Sequence, residues 1–134
     1  MASQSLRRIL CVEDEPDIQS IIHIALEGIG GFEVMIFGSG HEALRTGPAF
    51  NPDLILLDVM MPGIDGPATL AAMRSTLDFK NTPVVFMTAK VQAHEIDLYR
   101  KMGVVDVIAK PFDAMTLPDT LRNIWASIHK ESCG

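Results

Sequence analysis

Several things are scarce in this sequence, and each absence removes a class of function. Two cysteines in 134 residues do not make a disulfide framework. Cys11 sits inside an apolar run and reads as a small core residue, while Cys133 falls in the C-terminal tail. Basic residues are outnumbered, 11 Lys and Arg against 17 Asp and Glu, for a net charge of −6. That balance argues against binding of a nucleic-acid backbone by the domain itself. No apolar run approaches the length of a membrane span, and Met1 to Arg8 lacks the core of a signal peptide. No membrane association and a cytoplasmic location are therefore expected. Repeats, low-complexity tracts and charge blocks are missing too, so no second module is indicated. The first strand is followed by neither G-x-x-x-x-G-K-[ST] nor G-x-G-x-x-G, which counts against a nucleotide or flavin module. The four histidines, His23, His41, His94 and His129, share no metal-ligand spacing and read as helix-surface residues.

What remains is a chain that is 48% apolar and long enough to bury a core without staples. It is expected to form one domain over 1–134, with a core of about 8–130 and short tails. Arg8 to Val12 reads as a strand with Glu13-Asp14-Glu15 at its carboxyl end. Pro16 and Asp17 open a helix to about Gly28, with Ile18, Ile21, Ile22, Ala25 and Leu26 as its apolar face. Phe32–Phe37 is a second strand, and a short helix follows from His41 to about Thr46. Leu54 to Leu57 is a nearly continuous apolar run that ends abruptly in Asp58, the pattern of a strand buried on both faces of a parallel sheet. A helix from Pro67 to about Leu77 comes next. Pro83–Met87 is the fourth strand, ending in Thr88-Ala89-Lys90, and a helix from about Ala93 to Met102 follows it. Val104–Ala109 is the fifth strand, ending in Lys110-Pro111-Phe112. The last helix runs from about Thr116 to Lys130, with Leu117, Leu121, Ile124, Trp125 and Ile128 inside. Strict alternation of strand and helix predicts an α/β fold: a doubly wound, five-stranded parallel sheet covered by five helices.

In such a sheet the carboxyl ends of all strands share one rim, where ligands bind. The residues gathered there are Glu13, Asp14, Asp58, Thr88 and Lys110. Taken singly, each has an ordinary reading. Glu13 and Asp14 suit a solvated turn, Thr88 a turn or cap, and Lys110 a surface lysine. Together they make a site. Three neighbouring carboxylates repel one another and call for a cation or a raised pKa; of cations, Mg²⁺ with its preference for oxygen suits them. An Asp carboxylate can attack phosphorus when charge is neutralised, which Lys110 would assist while Thr88 donates to a phosphoryl oxygen. The Lys110-Pro111 bond, in a tight turn, is a candidate for the cis form.

The segments Val12-Glu13-Asp14-Glu15-Pro16, Asp58 to Gly66, Thr88-Ala89 and Lys110-Pro111-Phe112, in that order, resemble the response-regulator receiver domain of two-component signalling. The resemblance covers about Arg8 to Lys130. It implies a flavodoxin-like sheet of strand order 2-1-3-4-5 and a phosphorylation-controlled interaction switch, not an enzyme acting on a separate metabolite. It further implies Asp58 as phosphoacceptor, fed by a histidine kinase or histidine phosphotransfer protein. Asp14 is implied as a direct Mg²⁺ ligand, Glu13 as one acting through water, and the Met60 backbone carbonyl as another. Thr88 becomes the switch hydroxyl and Lys110 the phosphoryl-binding amine. Output is expected through the face of the fourth helix, fifth strand and last helix, toward a protein partner or a phosphorylation-dependent dimer. Tyr99 and Trp125 are candidates for that face, although Trp125 also fits the inner stripe.

Two departures stand out. The aromatic residue that the family usually places three before the lysine is Val107 here, so output is expected to depend on the loop from Thr88 to Ala93. Met60 and Lys90 flank the phosphoryl position, and the apolar Met60 is expected to shield an acyl phosphate from water. Two alternatives are a degenerate scaffold that works without phosphorylation and a haloacid-dehalogenase-like phosphatase. The phosphatase family has a second Asp two residues after its nucleophile, where this chain has Met60. After the last helix only Lys130 to Gly134 remain, which fits either a stand-alone regulator or a receiver cut from a longer protein.

Overall fold

A computed structural model describes residues 5–133, with side chains to residue 129; the outermost parts of the tails, including Met1–Gln4, lie outside them. The strands are β1 (Arg8–Val12), β2 (Glu33–Phe37), β3 (Leu54–Asp58), β4 (Val84–Thr88) and β5 (Asp106–Ala109). The helices are α1 (Pro16–His23), α2 (Gly40–Thr46), α3 (Gly66–Arg74), α4 (Ala93–Lys101) and α5 (Leu117–Cys133). All strand pairs are parallel, and the order is β2-β1-β3-β4-β5, as the resemblance implied.

Side chains of a strand alternate between faces, so each strand feeds two cores. Leu10, Val12, Ile55, Leu57, Val84 and Phe86 point to one face, where Ala43 of α2, Leu70 and Met73 of α3 and Tyr99 of α4 cover them. Ile9, Cys11, Leu54, Leu56, Val85 and Met87 point to the other, beneath Ile22, Ala25 and Leu26 of the first helical segment and Leu117, Leu121 and Ile124 of α5. The three inner strands, β1, β3 and β4, are buried on both sides. Their apolar runs are the cause.

Several boundaries differ from the sequence expectation. The first helix is α-helical only to His23 and continues as a π turn over Ile24–Ile29, in which the Gly30 N–H reaches back to the Ala25 carbonyl. Ile21, Ile24 and Ile29 are exposed, and because Ile21 had been expected inside, the inner face is narrower than the periodicity implied. Arg122 of α5 closes the turn by donating to the Gly30 carbonyl and lies 4.5 Å from the centre of the Phe32 ring. α3 stops at Arg74, whose guanidinium donates to the carbonyls of Phe79 and Thr82 at 2.8 and 2.7 Å and so fixes the turn that follows. β5 starts at Asp106, with Val104 packed in the core ahead of it. α5 extends to Cys133, past the expected end. Tyr99 is buried edge-on against Phe86, with ring centres 5.4 Å apart, so it does not belong to an exposed face. Trp125 is half-buried against the core.

Candidate functional site

β1, β3, β4 and β5 deliver their last residues to one rim. The chain crosses from β1 to β3 to β4 in register, Val12 beside Leu57 and Asp58 beside Met87, so Glu13 and Asp58 emerge as neighbours. Glu13 is held by its backbone N–H donating to the Phe37 carbonyl at 3.0 Å, and its carbonyl accepts from Gln19 Nε2 at 2.6 Å. Gly66 fits closely under the β3 end. A Cβ there would stand 2.6 Å from the Asp58 carbonyl oxygen and 2.7 Å from the Val59 Cα. Glycine at 66 therefore lets α3 start directly beneath the site, with Asp65 capping it by accepting the Ala68 N–H at 2.9 Å.

The carboxylates of Glu13, Asp14 and Asp58 place one oxygen each within 4.8 Å of one another. Glu13 and Asp58 are buried, and Asp14 is half-buried. Lys110 lies across both buried acids, with Nζ 3.0 Å from Glu13 Oε1 and 3.4 Å from Asp58 Oδ1. It leaves the end of β5 just before a Lys110-Pro111 bond that is cis, the form for which the sequence made it a candidate. Asp58 Oδ1 also takes the Met60 N–H at 3.4 Å, and Glu13 Oε2 takes that of Glu15 at 3.1 Å.

The charges do not balance. Burial, followed by the charge of Glu13, pushes the Asp58 carboxyl up to about 6, although Lys110 and the Met60 N–H pull the other way. Burial alone would lower Lys110, but its hydrogen bond to Glu13 and the charge of Asp58 outweigh that and raise it. Cys11, buried below the acids, is raised by desolvation and then by Glu13 and Asp58, so it stays an inert thiol. Oxygen donors in excess of local positive charge are what a hard divalent cation needs. The residues fit Mg²⁺.

Thr88 ends β4 beside Ala109 of β5, and its buried hydroxyl oxygen accepts the Lys90 N–H at 3.0 Å. Met60 is largely exposed at the mouth. Thus Glu13, Asp14, Asp58 and Lys110 meet directly, while Thr88 stands at the next strand end with its hydroxyl engaged in its own loop. Gln19 and Gly66 have positioning roles that the sequence reading missed. Gly66 lies inside the quoted Asp58–Gly66 segment, so its signal was present, whereas nothing in sequence singles out Gln19.

The profile of the response regulator receiver domain matches residues 9–122. The DNA-binding response regulator MtrA of Mycolicibacterium smegmatis is 34% identical over 116 residues, covering 87% of this chain and 49% of that protein. The transcriptional regulatory protein CseB of Streptomyces coelicolor is 34% identical over 124 residues, 92% of this chain and 50% of its own length. The chain thus spans about half the length of these curated relatives. Among solved structures, the chemotaxis response regulator CheY4 of Vibrio cholerae aligns with a TM-score of 0.81 at 28% identity, over 90% of this chain and 99% of that one. A putative response regulator from Chloroflexus aurantiacus aligns at 0.80 and 30% identity, over 92% of this chain and 99% of that one.

Proposed function

The chain belongs to the response regulator receiver family of two-component signalling, and on that premise we propose that Asp58 accepts a phosphoryl group from a phosphohistidine of a histidine kinase or phosphotransfer protein. The observation that carries this reading is the buried Asp58, pushed up to about 6 beside two further acids and a single lysine. Glu13, Asp14, Asp58 and the Met60 backbone carbonyl would hold Mg²⁺. Bound there, the ion supplies positive charge that offsets repulsion between the carboxylate and an incoming phosphoryl group.

The rest is done by the chain's own groups. An Asp58 carboxylate oxygen forms a bond to phosphorus as the phosphorus–nitrogen bond of the donor breaks, and the imidazole keeps the electron pair. Lys110, 3.4 Å from Asp58 Oδ1, follows the new charge onto the phosphoryl oxygens. Thr88 exchanges its bond with the Lys90 N–H for one to the phosphoryl group, which frees the loop from Thr88 to Ala93. That loop leads into α4. The switched surface is then the face of α4, β5 and α5, where Arg100, Val105, Asp106, Ile124, Ser127 and Ile128 line a groove of about 320 Å³. A downstream protein or a second phosphorylated copy is its expected occupant. The net charge of −6 opposes contact of this domain itself with a nucleic-acid backbone, so its own switched surface is read as a protein-contact surface. This single receiver, with a core of about 8–130, acts in the cytoplasm as a switch whose only chemistry is its own phosphorylation and dephosphorylation. Met60, where a haloacid-dehalogenase-like enzyme has its general acid, offers no proton donor.

The test is intact mass after incubation with Mg²⁺ and acetyl phosphate. Wild type gains one phosphoryl group and Asp58→Asn gains none. No gain by a folded wild type with several donors favours the phosphorylation-independent scaffold, and steady phosphate release from many substrates favours the phosphatase.

A further inference from the structure

The three acids of the rim are not held alike. Glu13 is anchored at both carboxylate oxygens, Oε1 by Lys110 at 3.0 Å and Oε2 by the Glu15 N–H at 3.1 Å. Asp58 is anchored by Lys110 and by the Met60 N–H, each at 3.4 Å. The side chain of Asp14 makes no hydrogen bond or ion pair among the described residues. It is half-buried, and one of its oxygens still comes within 4.8 Å of the other two acids. What aims Asp14 must therefore act through its backbone.

Asp14 shares a planar peptide unit with Glu13, so the direction of the Glu13 carbonyl sets where the Asp14 side chain starts. In a parallel ladder the N–H and C=O of one residue face the same neighbouring strand. The Glu13 N–H donates to the Phe37 carbonyl at 3.0 Å, so the Glu13 carbonyl also faces β2. β2 ends at Phe37, however, and the chain turns through Gly38 and Ser39 into α2. Where the ladder runs out, the Gln19 side chain takes over. Its Nε2 donates to the Glu13 carbonyl at 2.6 Å, from a place beside Gly38, where an added Cβ would stand 3.7 Å away. Gln19 is itself fixed. It lies one turn into α1, its N–H bonded to the Glu15 carbonyl at 2.9 Å, and Ile18 before it packs on the core.

We propose that Gln19 is a positioning residue of the cation site. By holding the Glu13 carbonyl it fixes the peptide unit that carries Asp14, and so sets Asp14 as a Mg²⁺ ligand before the ion arrives. It touches neither the ion nor the phosphoryl group. The proposal rests on the reading of the three acids as a Mg²⁺ site. Without the Gln19 bond, Asp14 has to be ordered at the moment of binding, and affinity for the ion falls. Glu13 and Asp58 keep their own anchors, so the deficit lies in metal binding.

The test compares wild type with Gln19→Met, which keeps the length and helix preference of glutamine but has no donor. Ser20→Ala, at the exposed neighbouring position, is the control. Mg²⁺ is titrated into the isotope-labelled, unphosphorylated chains at fixed ionic strength while amide shifts are followed, and urea midpoints are measured with chelator. The expected result is a dissociation constant for Mg²⁺ about tenfold higher in Gln19→Met and unchanged in Ser20→Ala. A merely structural bond would lower the urea midpoint of Gln19→Met and leave its dissociation constant at the wild-type value, and that outcome would overturn the proposal. In wild type the Gln19 side-chain amide should be protected from exchange with solvent, with and without Mg²⁺. Exchange as fast as that of a free side chain would overturn the proposal even if Gln19→Met did not fold. Absence of Mg²⁺ binding by wild type would remove the cation reading and this inference together, whereas equal binding by wild type and Gln19→Met removes this inference alone.

Discussion

The interior of the sheet and its carboxyl rim are made by the same strands, yet they follow opposite rules. From Leu54 to Leu57, β3 buries four apolar side chains in succession, and each adds to the core. One residue later the same strand buries Asp58, and β1 makes the same change from Val12 to Glu13. Burial of carboxylates that share one lysine works against folding, since each is stripped of water and repels the other. The strands are therefore stabilising along their length and destabilising at their tips. Under the proposed function, the binding of a cation and a phosphoryl group is what offsets that cost.

The contrast can be broken at either end. In the interior, Leu56→Ala removes a fully buried side chain between β1 and β4 and should cost about 2–5 kcal/mol, read as a lowered urea midpoint with an unchanged slope. At the rim, Lys110→Met leaves Glu13 and Asp58 without their cation and should cost about 2–4 kcal/mol near neutral pH. Unlike the core deficit, this one should shrink on acidification or on addition of Mg²⁺. An equal deficit for Lys110→Met under all three conditions would show that the lysine acts through packing alone.

Smaller effects refine the switch. Met60→Asn opens the mouth of the site to water-directing polar atoms and should shorten the lifetime of the phosphorylated form several-fold, measured by loss of the added mass with time. A longer lifetime would refute shielding by Met60. Val107→Tyr supplies the absent aromatic residue and should leave partner affinity and its phosphorylation dependence nearly unchanged. A large rise in that dependence would return the switch to ring movement.

The comparison also explains what could be read from sequence. Strands were legible because long apolar runs admit few other structures, and the site because each run stops at a polar residue. Thus Asp58, Glu13, Asp14, Thr88 and Lys110 could be placed on one rim before any coordinates. The direct pairing of Lys110 with Glu13, 97 residues apart, could not, because it depends on how two strand ends finally pack. The π turn after α1 was hidden for a different reason: the apolar spacing through Ile21 to Ile29 looks continuous, and a shift of one residue in the hydrogen-bond register leaves no mark in it. Tyr99 was misplaced because an aromatic residue on a short amphipathic helix fits either side until Phe86 is seen beneath it.

Asp58→Asn tests the opposed rules most directly. The Asp58 carboxyl is raised from 3.8 to about 6 in the fold, so the folded state holds its proton more tightly than the unfolded chain does. The stability of wild type relative to Asp58→Asn is therefore full below about pH 4 and falls as pH rises through about 6, by roughly 2–3 kcal/mol at most. The measurement is the urea midpoint of both proteins at pH 7.5, first with chelator and then with Mg²⁺. Wild type should be the less stable with chelator, and Mg²⁺ should close or reverse the gap. A wild type more stable than Asp58→Asn with chelator, or a gap indifferent to Mg²⁺, would contradict a rim built to hold a cation and a phosphoryl group.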